Sequence, residues 1–89
     1  MKLTLIGSHL CQDTLYSLIK LKDCGAEIDF QDISSNFAAL KTFMNIRETS
    51  PLFDEVKRCG GIGMPLFVLE DGTQTHDLAQ VLACTKEGK

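Results

Sequence analysis

Several things that would assign this chain quickly are missing from it. There is no basic excess: nine Lys and Arg stand against twelve Asp and Glu, for a net charge of -3. Such a surface has little to neutralise phosphates with, which argues against a nucleic-acid partner. No apolar run approaches the ~20 residues that a membrane helix needs. The opening stretch Met1-Lys2-Leu3-Thr4-Leu5-Ile6 meets Gly7 and then polar residues. That is too soon for the apolar core of a signal peptide, and no small-residue cleavage site follows. The expectation is a cytoplasmic protein without membrane contact.

Closely spaced cysteines are missing too. Cys11, Cys24, Cys59 and Cys84 are scattered, and none belongs to a C-x-x-C pair. Zinc ligation wants paired ligands at short spacing, so no metal site is expected. In a reducing compartment free thiols are the default over two disulfides. Internal repeats and low-complexity linkers are absent, and Gly60-Gly61 lacks the spacing of a phosphate-cradling loop. With 89 residues and 44% hydrophobic content, residues 1–89 form one small domain. A domain of that size buries roughly 60–65% of its unfolded surface in a single core.

What is present has clear periodicity. Leu3 to Ile6 is a short apolar run stopped by Gly7, a buried strand. From Cys11 the period becomes helical, with Leu15, Leu18 and Ile19 on one face. Asp13 lies in the first turn, Lys20 and Lys22 in the last, and Gly25 at the stop. Glu27-Ile28-Asp29-Phe30-Gln31-Asp32 alternates as a half-exposed strand does, so the first third is a βαβ unit with parallel strands. Ser34, Ser35 and Asn36 are N-cap candidates for a second helix carrying Phe37, Leu40, Phe43, Met44 and Arg47. Ser50-Pro51 ends it and starts a shorter helix with Phe53 and Val56 inward, closed by Gly60-Gly61. Leu66-Phe67-Val68-Leu69 is the most hydrophobic run. Asp71-Gly72 predicts a two-residue hairpin turn, and Thr73-Gln74-Thr75 is the return strand. Asp77 or Thr75 caps a last helix with Leu78, Val81 and Leu82 on its apolar face, and residues 86–89 read as a frayed tail. The order β-α-β-α(-α)-β-β-α implies an α/β fold, a four-stranded mixed sheet with helices on both faces.

Chemistry concentrates at Cys11. A thiol at a strand-to-helix turn sits over backbone N–H groups that no helical carbonyl reaches, and the dipole there stabilises an anion. That is the setting of a nucleophilic cysteine. Cys24, Cys59 and Cys84 lie on or beside helices and read as small packed hydrophobes. His9 reads as a solvent-facing turn residue, with pairing to a Cys11 thiolate as the alternative. Phe37, Phe43, Phe53 and Phe67 read as core, and the acidic residues as solvated surface.

This order, with Cys11 after the first strand and Gly63-Met64-Pro65 before the hairpin, resembles the thioredoxin fold and specifically the glutaredoxins, over essentially the whole chain. The stretches GSHLCQDTLYSL, GMPLFVLEDG and TQTHDL are most similar to a bacterial branch of glutaredoxin-related proteins. The resemblance implies a cis Met64–Pro65 bond beside the active cysteine, with the Met64 backbone free to pair with an extended peptide such as glutathione. It also implies that Thr75, His76 and Asp77 hold the γ-glutamyl end of glutathione at the start of the last helix. Where well-studied glutaredoxins read Cys-Pro-Tyr-Cys or Cys-Gly-Phe-Ser, this chain reads Cys11-Gln12-Asp13-Thr14. A second cysteine to resolve the mixed disulfide is therefore lacking, and a monothiol mechanism is implied. Thr14 is expected to donate a hydrogen bond to the Cys11 thiolate as a serine would, while Asp13 works against a second negative charge. Ser8 stands where the family often has lysine, and Thr73-Gln74 where it usually has a glycine pair.

The implied function is thiol–disulfide exchange on glutathione mixed disulfides, with glutathione as co-substrate and glutathionylated proteins as partners. The alternative is a non-catalytic module, in which Cys11 senses redox state or, with glutathione, ligates an iron–sulfur cluster shared by two monomers.

Overall fold

The computed structural model describes residues 1–87, and the side chains of residues 1–85. The chain runs β1 (Lys2–Gly7), α1 (Gln12–Leu21), β2 (Glu27–Asp32), α2 (Phe37–Thr49), a 3-10 turn (Pro51–Phe53) continuing into α3 (Asp54–Arg58), β3 (Leu66–Leu69), β4 (Gln74–Thr75) and α4 (Leu78–Glu87). The sheet order is β2-β1-β3-β4. β1 is parallel to β2, in a register that runs from Lys2 opposite Glu27 to Gly7 opposite Asp32. It is antiparallel to β3, with Leu3 opposite Leu69 and Ile6 opposite Leu66. β3 and β4 form the antiparallel hairpin. The expected mixed four-stranded sheet with helices on both faces is therefore present.

Alternation along the strands divides the core between the two faces. Leu3, Leu5 and Phe67 pack with Leu21 of α1 and Val81 of α4, and Leu18, Leu78 and Leu82 close the edges. On the other face Ile6 and Leu66 pack with Phe43 of α2 and Phe53 of the 3-10 turn. The Phe43 and Phe53 rings meet edge to face, 5.8 Å between centroids. Truncating a buried phenylalanine of this kind costs about 3–5 kcal/mol.

Local chemistry sets the element ends. Asn36 caps α2, its Oδ1 accepting from Ala38 N and Ala39 N at 2.9 and 3.2 Å. Ser50 Oγ accepts from Leu52 N at 3.3 Å, and Pro51 is the first residue of the 3-10 turn, where a missing N–H does no harm. Asp77 caps α4 through Ala79 N and Gln80 N. α4 continues through Glu87, so Lys86 and Glu87 are helical rather than part of a frayed tail, and 88–89 lie outside the described residues.

Four sequence-based expectations need correction. The helical period of α1 is right but its phase is not: Thr14, Ser17 and Leu21 are buried, while Leu15 and Ile19 are 42% and 71% exposed. Thr14 lies directly against Gly7 at the end of β1, and with Thr14 and Ser17 turned inward, Leu15 and Ile19 fall on the outer side. Phe37 is not core. It is the first residue of α2 and 74% exposed, with the Lys41 ammonium 5.9 Å from its ring centroid. The hairpin turn is a three-residue loop rather than the expected two: Leu69 N donates to Thr73 O at 2.8 Å, Gly72 N to Leu69 O at 2.9 Å, and Gly72 has φ +92°. This is a turn followed by a left-handed residue, the usual three-residue solution, and it shortens β4 to Gln74–Thr75. Finally, Cys11 precedes the helix instead of opening it. Among the described residues no helix is long and apolar enough to cross a membrane.

Candidate functional site

Register alone brings three segments to one end of the sheet. Gly7 ends β1 opposite Asp32, the last residue of β2, and Ile6 lies opposite Leu66, the first residue of β3. The Ser8–Cys11 turn, the start of the β2–α2 loop and the Gly63-Met64-Pro65 segment therefore emerge side by side. In α/β sheets, crevices at strand ends are where ligands bind.

Cys11 is the N-cap of α1. Its backbone is extended (φ −98°, ψ 122°) and its side chain makes no capping hydrogen bond. Cys11 N donates to Ser8 O at 3.0 Å, while Leu15 N donates to Cys11 O at 3.1 Å. The thiol is free and partly exposed, as are those of Cys24 and Cys84, while Cys59 is exposed. The sulfur thus stands at the amino end of a ten-residue helix with its side chain uncommitted.

Thr14 sits elsewhere than expected. It is fully buried, and its Oγ1 accepts from Ser8 N at 3.3 Å instead of serving the Cys11 thiol. It packs against Gly7, where a Cβ would come within 2.8 Å of Thr14 Cγ2. Thr14 thereby fixes α1 to the end of β1.

A cleft of about 400 Å³ opens beside the turn. It is lined by Asp13, Tyr16 and Ser17 of α1, by Val56, by Gly63, Met64 and Pro65, and by His76 and Leu78. The Met64–Pro65 bond is cis, as the resemblance implies. Arg47 of α2 steadies the approach to it, with Nε donating to Ile62 O at 3.0 Å and a terminal guanidinium nitrogen to Gly61 O at 2.6 Å. Gly63 follows with φ +90°, and a Cβ there would lie 2.6 Å from Phe53 Cε2. Only glycine fits that conformation and that contact.

Of the residues expected to hold glutathione, Met64, Pro65 and His76 line the cleft and Thr75 and Asp77 do not. Thr75 is buried; its Oγ1 accepts from Asp77 N at 3.0 Å and donates to Gln80 Oε1 at 2.9 Å. Asp77 spends Oδ1 on the first turn of α4. His76 packs edge to face on Phe53 with centroids 4.7 Å apart. Burial pushes the His76 ring below the usual histidine range, against an opposing pull from the Gly63 carbonyl. Its Nε2 is buried with no hydrogen-bond partner among the described residues. Cys11 is not part of the cleft wall; it stands just ahead of Asp13 on the same helix end.

His9 is paired with Asp32. His9 Nδ1 lies 2.7 Å from Asp32 Oδ2, and His9 N donates to Oδ1 at 3.2 Å. Burial raises the Asp32 carboxyl, but hydrogen bonds from Ser35 Oγ, Ser34 N and His9 outweigh it and bring it down to about 2. Asp32 is thus not the solvated surface charge expected: its side chain is 17% exposed. Tyr16, Ser17 and Asp32 were missed by hydropathy, which ranks them as surface positions. The signal that finds Asp32 is topological, since parallel pairing of β1 and β2 puts its carboxylate next to the Cys11 turn.

No family model matches the chain. No solved structure matches it significantly. It is 30% identical over 77 residues to a protein of Haemophilus influenzae described as uncharacterized, an alignment covering 86% of this chain and 90% of the relative. The chain belongs to the same family as that protein.

Proposed function

We propose that the chain is a monothiol, glutaredoxin-like thiol–disulfide oxidoreductase with a thioredoxin fold. The observation that carries this is the convergence, at one sheet end, of an uncommitted thiol at the N-cap position of a helix and a cleft walled by Met64, Pro65 and His76. The strand order β2-β1-β3-β4, a parallel pair joined to an antiparallel hairpin, is the one such a fold requires. The cleft volume of about 400 Å³ lies within the roughly 300–1,000 Å³ common for small-molecule sites.

In this function the Cys11 thiolate attacks the glutathione sulfur of a protein–glutathione mixed disulfide. A Cys11–glutathione disulfide forms and the protein thiolate leaves, taking a proton from solvent. The thiolate of a second glutathione attacks that sulfur, releasing glutathione disulfide and regenerating Cys11. The protein sulfur is reduced to a thiol and the one incoming glutathione is oxidised, the transferred glutathionyl group staying at the disulfide level throughout. Cys24, Cys59 and Cys84 take no part. Met64 offers backbone groups to the tripeptide, and His76 forms the inner wall. Reduction of a glutathionylated peptide, followed through glutathione disulfide production, is expected to vanish in Cys11→Ser and to survive replacement of the other three cysteines together. Activity that persists in Cys11→Ser removes the assignment.

A further inference from the structure

We propose, resting on the reading of Cys11 as the nucleophile, that Asp32 is a positioning residue for Cys11, acting through His9 and the turn between β1 and α1. Every backbone N–H of that turn is held without help from the sheet ladder. Ser8 N donates to Thr14 Oγ1 and His9 N to Asp32 Oδ1. Leu10 N donates to Ser8 Oγ at 3.0 Å, and Cys11 N to Ser8 O. Two of these ties run through the β2–α2 loop. Asp32 takes His9 at both its backbone and its ring, and Ser8 Oγ, which holds Leu10 N, is itself hydrogen-bonded to Ser34 Oγ.

The carboxylate is fixed in turn by its own loop. Ser34 N donates to Oδ1 at 3.0 Å and Ser35 Oγ to Oδ2 at 2.8 Å. An ionised carboxylate only accepts, so the His9 Nδ1 that faces it carries the proton. A purely local role is met by the Ser34 and Ser35 bonds. The bonds to His9 do something else, because they join the end of β2 to the turn that ends in the nucleophile. A thiol that must approach a disulfide in line gains from a turn that does not drift, since an error of about 1 Å in placing a reacting group can cost on the order of a hundredfold in rate.

The test compares the full-length chain with Asp32→Asn, His9→Ala, the double variant, and Asp29→Asn as a control. Asp29 is an exposed carboxylate on the same strand that, among the described residues, accepts only from Gln31. With a glutathionylated peptide as substrate, Asp32→Asn and His9→Ala are each expected to lower kcat roughly tenfold or more. KM stays near its original value, because the cleft walls are untouched. The double variant is expected to be no worse than the more damaging single one, because the two side chains act as a unit. Asp29→Asn is expected to leave kcat unchanged. The His9 ring-nitrogen chemical shifts should move in Asp32→Asn, which a general loosening of the fold would not single out. Ser35→Ala, which removes one donor from Oδ2, serves if Asp32→Asn does not fold, with a smaller fall in kcat expected.

Unchanged kcat in Asp32→Asn and His9→Ala overturns the proposal. So does full additivity in the double variant, or an equal loss in Asp29→Asn. Should Cys11→Ser retain activity, the oxidoreductase assignment falls. The positioning role is then judged on iodoacetamide alkylation of Cys11 in a chain with Cys24, Cys59 and Cys84 replaced by serine. There Asp32→Asn is expected to slow alkylation several-fold, and an unchanged or faster rate overturns it.

Discussion

At Gly7 an added methyl group would meet Thr14 Oγ1 and lie 2.8 Å from Thr14 Cγ2. Neither atom can retreat, because Thr14 is fully buried and bonded to Ser8 N. Gly7→Ala is therefore expected to destabilise the protein by about 1–3 kcal/mol, in the manner of an overpacked core. Urea unfolding midpoints measure it, and adding Thr14→Ala to Gly7→Ala should recover part of the loss. The same contact explains why the sequence misplaced Thr14. A threonine after a cysteine in the first turn of a helix reads as a partner for the sulfur. Only the close approach of α1 to β1, which hydropathy does not encode, turns its hydroxyl toward the strand. His9 is the exposed turn residue that the sequence suggests, and strand pairing adds Asp32 as a partner that adjacency in sequence does not show.

At the level of elements, boundaries were legible wherever a strong local signal marked them. Pro51 behind Ser50, the Glu27–Asp32 alternation and the Leu66–Leu69 run each coincide with an observed element. Faces were less legible, because an amphipathic period gives spacing without saying which stripe meets the sheet. In α1 the stripe of small residues won. Cys11 carries a further consequence for this helix. Cysteine offers no capping hydrogen bond here, and serine is among the best N-cap residues. Cys11→Ser is thus expected to raise stability by about 0.5–1 kcal/mol while removing activity, a conflict characteristic of functional positions. Thermal or urea unfolding of the two chains checks it. A Cys11→Ser chain less stable than the parent would show that the sulfur is packed structurally rather than held in reserve.

The whole molecule is expected to respond to acid through three separate groups, Asp32, Asp71 and His76. Asp32 titrates at about 2 when folded, against ~3.9 for a free aspartate. A lowered folded value means stability that is complete above ~3.9 and is lost as pH falls toward 2. Asp71, lowered by hydrogen bonds from the backbone and side chain of Thr73, acts in the same direction. His76, lowered by burial, withdraws its own contribution earlier, as pH falls from about 6.5 through its depressed folded value. Stability is expected to decline in two stages on acidification. His76→Gln should flatten the first and Asp32→Asn the second, as read from urea midpoints across pH. The sheet topology that sets Asp32 beside the Cys11 turn was legible as a parallel pair plus a hairpin. The joining of the two, β1 against β3, rests on long-range pairing that no local pattern announces.

That joining has a temporal side. β1 is a central strand, yet its partners arrive at very different moments of synthesis. β2 follows after a single helix, whereas Leu3 waits for Leu69. Until the last third of the chain has left the ribosome, one edge of the strand leading to the Cys11 turn stays unpaired, and covering it takes a late, long-range loop closure of the kind that slows folding.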